Sequence, residues 1–129
     1  MGDALKKLGE AELEIMQVIW DSTGHISSTS ILKELQGRRK WQLSTLMTSL
    51  SRLSEKGFIS CDRSTGSNLY SSLVNEEEYK VGASRNFLER LYNNSIQNMI
   101  ATLYSSKSMN ASDVKELRAF LDKLEEDQK

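Results

Sequence analysis

The period at which apolar residues recur changes twice along this chain, and those two changes limit what it can fold into. Up to Lys56 the apolar residues fall at helical spacing. After Gly57 they alternate, first in Phe58-Ile59-Ser60-Cys61-Asp62 and again in Asn68-Leu69-Tyr70-Ser71-Ser72-Leu73; from Asn75 the helical spacing returns. The two alternating runs flank the turn-rich Arg63-Ser64-Thr65-Gly66-Ser67 and read as a β-hairpin. Everything else reads as helix, which the complete absence of proline favours.

Three helices are expected before the hairpin. Residues 9–22 carry Ala11, Leu13, Ile15, Met16, Val18, Ile19 and Trp20 so densely that this helix must be largely buried, and Gly24 ends it. A short extended piece at His25-Ile26 leads into Ser27-Ser28-Thr29-Ser30, whose hydroxyls can cap a second helix bearing Ile31, Leu32 and Leu35. After Gly37 and the basic turn Arg38-Arg39-Lys40, a third helix places Leu43, Leu46, Leu50 and Leu53 on one arc, with Gly57 as its stop. Three helices followed by a hairpin is the element order of a winged helix-turn-helix domain. The fold class is therefore mostly α with a small β-hairpin, organised as a winged helix-turn-helix over residues 1–75 and a helical dimerisation segment over residues 76–129.

That segment reads as three short amphipathic helices. Asn75 can cap the first, and Glu76-Glu77-Glu78 suit the positive end of its dipole; Tyr79, Ala83, Phe87, Leu88 and Leu91 form its apolar side. The second carries Ile96, Met99, Ile100 and Leu103 after a break at Asn93-Asn94-Ser95. The third, capped by Asn110, carries Val114, Leu117, Leu121 and Leu124 at spacings of three and four. About 50 residues in three short helices bury little surface alone, so their stripes are expected to meet a second subunit; folding back on the N-terminal domain is the alternative.

A chain of 129 residues is short for an enzyme with a deep cleft, and its formal net charge of −1 says little about partners until its distribution is considered. Residues 33–63 hold seven basic against three acidic side chains, whereas residues 74–129 are net −2. On the third helix the arc opposite the leucines brings together Thr45, Thr48 and Arg52. Short hydroxyl side chains tolerate close approach to bases and phosphates, and an arginine can grip guanine or a phosphate in a fork. By wheel geometry alone an ordinary solvated face fits equally well. Neighbouring groups suited to phosphate favour the DNA reading: Ser27 and Ser28 at the start of the second helix, Lys40 and Trp41 before the third, and Arg63 in the wing. Trp41 also suits an anchor for the turn; Tyr70 suits either a packed position under the wing, which is favoured, or a hydroxyl contact with the DNA backbone.

Other chemistry is poorly provided for. Cys61 has no partner for an intramolecular disulfide; with the lone His25 it makes no metal site, so no metal and no cofactor is expected. No glycine-rich phosphate loop and no nucleophile–histidine set is evident, which argues against an enzyme and leaves a hydrolase or transferase a distant third reading. No apolar run approaches a membrane span and Met1–Lys7 lacks a signal-peptide core, so a cytoplasmic protein without membrane insertion is expected.

Several stretches, taken in order, resemble the penicillinase-repressor family, the BlaI/MecI-type repressors with CopY repressors as relatives. They are Leu8-Gly9-Glu10-Ala11-Glu12-Leu13-Glu14-Ile15-Met16 through Ile19-Trp20, Trp41 with Ser44-Thr45-Leu46, and Arg52-Leu53 through Lys56-Gly57-Phe58-Ile59, followed by Tyr70 and a helical tail. The resemblance covers nearly the whole chain. It implies a homodimer on a partly palindromic double-stranded DNA operator, released in the β-lactam-responsive members when a membrane sensor-protease triggers cleavage of the dimerisation segment. By position it makes Thr45, Thr48 and Arg52, with Ser44 beside them, recognition-helix residues, and brings Ser28, Lys40 and Trp41 near the DNA backbone. Met47 stands where the family commonly has lysine or arginine, and the family's scissile Asn-Phe pair aligns with Thr102-Leu103. The cysteine cluster of the copper-responsive branch is absent, and copper(I) requires several thiolates. The runner-up is a winged-helix protein-interaction module that binds no specific DNA.

Overall fold

A computed structural model describes residues 8–128. The stretch Met1–Lys7, expected to lack a signal-peptide core, lies outside the described residues, as does Lys129. The element order is α1 (Glu10–Asp21), β1 (Ile26–Ser27), α2 (Ser28–Leu35), α3 (Leu43–Glu55), β2 (Ile59–Asp62), β3 (Leu69–Ser72), α4 (Glu76–Tyr92), α5 (Ile96–Ser105) and α6 (Ala111–Asp127).

The first three helices enclose one core, formed by Ile15, Met16, Val18 and Ile19 of α1, Ile31 and Leu35 of α2, and Leu46, Leu50 and Leu53 of α3. Local chemistry sets the helix ends. Ser27 Oγ accepts the Ser30 amide and caps α2. At the end of α3, Gly57 takes φ +84°, its amide reaches Ser54 O, and the Phe58 amide reaches Leu53 O. This pair of bonds closes the helix and delivers Phe58, 1% exposed, into the core beside Leu53.

The sheet differs from the expected two-stranded hairpin. β2 and β3 do pair, with Cys61 opposite Tyr70, but β1 pairs antiparallel with the other edge of β3 and gives the order β1-β3-β2. The extended piece at Ile26 thus satisfies backbone groups of β3 that a hairpin would leave open. Gly66, at φ +87°, turns the wing, and Asp62 Oδ1 accepts the Ser64 amide to hold that turn. Tyr70 is buried, consistent with the packed position expected for it.

The chain divides into two units, one ending at Ala83 and the other beginning at Ser84. The first turns of α4 belong to the first unit. Tyr79, expected on the apolar stripe of the tail, is buried there: it meets Phe58 edge-on at 6.0 Å, lies 5.8 Å from Trp20, and its hydroxyl accepts the Leu8 amide. Trp20 Nε1 in turn donates to Ser72 Oγ and Val74 O, tying the end of β3 to α1.

In the second unit, Asn93 and Asn94 take left-handed conformations that end α4, Ser95 caps α5, and Asn110 and Asp113 cap α6 reciprocally at 2.9 Å. No residue of α5 or α6 is buried. Phe87, Leu91, Ile96, Leu103, Leu121 and Leu124 are exposed, with Leu91 at 65% and Ile96 at 58%. Met99, Ile100, Val114 and Leu117 are half-buried. Tyr104 and Phe120, which the sequence reading did not single out, are exposed as well.

Candidate nucleic-acid interface

Burial of Leu46, Leu50 and Leu53 fixes the rotation of α3, and the opposite side carries Ser44, Thr45, Thr48, Ser51 and Arg52, all exposed. Thr48 Oγ1 donates to Ser44 O at 3.0 Å, which commits its proton to the helix backbone and leaves the oxygen as an acceptor. Ser51 completes this face and was missed because serine carries no distinctive pattern. Leu43, expected in the core, is 54% exposed: it shares the arc of the other leucines but sits in the first turn, beyond the core's edge. Met47 is half-buried against the core, so it offers packing where the family commonly has a cation.

The basic cluster sorts into two groups. Arg39 Nη2 lies 3.2 Å from Glu14 Oε2 with its guanidinium 5.1 Å above the Trp41 ring, Arg38 donates to Gln17 at 2.8 Å, and Lys56 Nζ lies 2.7 Å from Glu12 Oε1. These three residues brace α1 against the turn before α3 and against its far end. Lys40, Arg52 and Arg63 are exposed and have no ion pair among the described residues. Trp41 is 5% exposed, its indole N–H donates to Glu14 Oε1, and its carbonyl accepts Gln36 Nε2. Its ring therefore anchors the turn that presents Lys40. Ser28 is half-buried at the first position of α2, where helical amides have no partner within the helix.

Glu12 joins α1 to α3. Its Oε1 accepts both the Gly9 amide and Lys56 Nζ. Burial raises its pKa, but the Lys56 and Gly9 hydrogen bonds, with the charges of Lys56 and Arg52, outweigh that and hold it below the ordinary glutamate value. The folded protein therefore keeps Glu12 ionised to lower pH than the unfolded chain does. Its stabilisation is complete above the ordinary glutamate range and is lost as pH falls through the lowered value. Glu12→Gln is expected to cost about 1–2 kcal/mol at neutral pH and to flatten the acid limb of the stability curve. Urea melts between neutral pH and pH 3 check this, and curves superimposing on the parent's would remove the assignment.

A buried three-helix core, a short sheet ending in a wing, and a polar helix face between unpaired cations define a winged helix-turn-helix DNA-binding protein. The sequence matches the penicillinase repressor family over residues 8–123. It is 29% identical to the methicillin resistance regulatory protein MecI of Mammaliicoccus sciuri, covering 95% of this chain and 99% of that protein. It is 28% identical to a penicillinase repressor of Bacillus licheniformis, covering 92% and 91%. The structure is similar to that of monomeric Bacillus licheniformis BlaI in complex with the blaP half-operator, with a TM-score of 0.51 and 31% identity, covering 58% of this chain and 90% of that one. The chain belongs to the penicillinase-repressor family: it is a DNA-binding transcriptional repressor, and its family is one of regulators rather than enzymes. Among the described residues no helix is long and apolar enough to cross a membrane.

Proposed function

We propose that the protein is a cytoplasmic, homodimeric repressor of a β-lactam-response operon, encoding a β-lactamase or a penicillin-binding protein, and that each subunit lays α3 in a major groove of a partly palindromic operator. The observation that carries this reading is the outward face of α3, where Thr45, Thr48 and Arg52 stand exposed between the unpaired cations Lys40 and Arg63. Thr45, Thr48 and Arg52 read base edges; Ser44, Lys40, Arg63 and the Ser28 amide meet phosphates. Trp41 acts through the turn it anchors. BlaI of Bacillus licheniformis, similar over the same elements, has been captured on a half-operator, which supports the docking. Residues 1–75 read the operator, and residues 76–129 pair two copies through the apolar side chains that α4, α5 and α6 leave exposed.

Release follows cleavage at Thr102-Leu103 under the control of a membrane sensor-protease, or another inducing signal. Both residues are exposed in α5, and Thr102 Oγ1 donates back to Asn98 O. A protease needs this segment extended, and a ten-residue helix with no buried side chain opens at small cost.

Arg52→Ala is expected to lose about 1–3 kcal/mol of operator binding, with altered base preference where the contact is to a base. The measurement is binding to genomic fragments at two salt concentrations, with sequencing of the retained DNA. Affinity that falls steeply with salt marks phosphate contacts, whereas weak, salt-independent and sequence-indifferent binding would favour a protein-interaction module. Unchanged affinity in Arg52→Ala would take Arg52 off the reading face.

A further inference from the structure

We propose that Leu43 is a specificity-determining residue whose side chain packs against the C5-methyl group of a thymine in each half-site; the inference rests on the repressor reading above. Leu43 opens α3 and is exposed, while Leu46, Leu50 and Leu53 on the same arc are at most 1% exposed. One turn on, Met47 is half-buried against the core. The apolar stripe of α3 therefore runs past the edge of the core to the helix N-terminus, where Gln42 makes no side-chain cap that would cover the first turn. Leu73 and Val81, the other exposed large apolar residues among the described residues of the first unit, lie beyond β3 and on α4.

When a recognition helix enters a major groove, its N-terminal residues reach the base edges. The groove offers one apolar feature, the thymine methyl group. A branched aliphatic side chain there gains contact with that methyl and excludes water from the neighbouring contacts of Ser44 and Thr45. It also disfavours cytosine at the same position, which presents no C5-methyl group for the leucine to pack against.

The probes are duplexes selected from a random library by the parent protein, then remade with uracil in place of thymine at one position at a time. At one thymine per half-site, loss of the methyl is expected to weaken the parent about fourfold, the worth of one buried methyl-sized group. Leu43→Ala, which removes an exposed side chain and should melt like the parent, is expected to bind the thymine and uracil duplexes alike, and Leu43→Ile to restore the difference. Tight, salt-sensitive binding with no methyl dependence in the parent, or an equal dependence in Leu43→Ala, overturns this inference alone. A parent that retains no duplex above background overturns the repressor reading and this inference with it.

Discussion

Phe58→Ala is expected to lower the stability of the first unit by about 3–5 kcal/mol, the range for emptying a buried phenylalanine site. Three elements meet at this residue, and only the ring contacts are lost in Phe58→Ala. Its amide closes α3 by bonding Leu53 O, its carbonyl accepts the Leu73 amide at 2.8 Å, and its ring meets Tyr79 edge-on. Little nearby can collapse into the space, because Leu53 and Ile59 are held by the helix end and by the strand pairing with β3. The loss is large against the roughly 5–15 kcal/mol of a typical domain, and should lower the melting midpoint on the order of 15 °C. Urea and thermal melts of the full chain measure it. A loss below about 1 kcal/mol would mean that the ring is not packed as described.

The same residue shows what was legible in the sequence. Gly57 after a leucine-periodic helix and before an alternating run announced both the stop of α3 and the start of the wing, because both signals are local. The caps at Ser27 and Asn110 were legible for the same reason, whereas Ser95 was read only as part of a break. β1 was not: a two-residue strand has no alternation to detect, and only β3 lying beside it makes Ile26 and Ser27 a strand. Leu43 was misassigned because a wheel gives the direction of a side chain and says nothing about where the core ends along the helix axis. Tyr79 fits the period of the tail stripe and was assigned to it, yet its partners Trp20, Phe58 and Leu8 lie 21 to 71 residues back in the chain.

The reading face was legible to the extent that its rotation follows from the leucines opposite. Charge was not. Counting basic residues along residues 33–63 treats them as equal, but Arg38, Arg39 and Lys56 meet Gln17, Glu14 and Glu12 on α1, which are 21 to 44 residues away. Subtracting them leaves Lys33, Lys40, Arg52 and Arg63 as the exposed charges of that stretch with no ion pair among the described residues. A salt-dependence slope should therefore reflect few contacts per subunit, fewer than the basic count suggests.

The double variant Leu117→Asp, Leu121→Asp is expected to be monomeric and to bind the full operator about 100-fold or more weaker than the parent, since pairing makes the second half-site contact intramolecular. Leu121 is 50% exposed in the single subunit and Leu117 half-buried, so carboxylates there cost the isolated α6 little. The helix retains its reciprocal Asn110–Asp113 cap. In a paired seam the same carboxylates would be desolvated without partners, a penalty far larger than that on the free helix. Sedimentation equilibrium reads the mass, circular dichroism confirms that the helices persist, and binding to a half-site duplex serves as the internal control. Parent-like half-site affinity with lost full-site affinity would locate the defect in pairing. A dimer that survives both changes would move the interface to Phe87, Leu91 and Ile96, whose exposure on α4 and α5 would then need the same test.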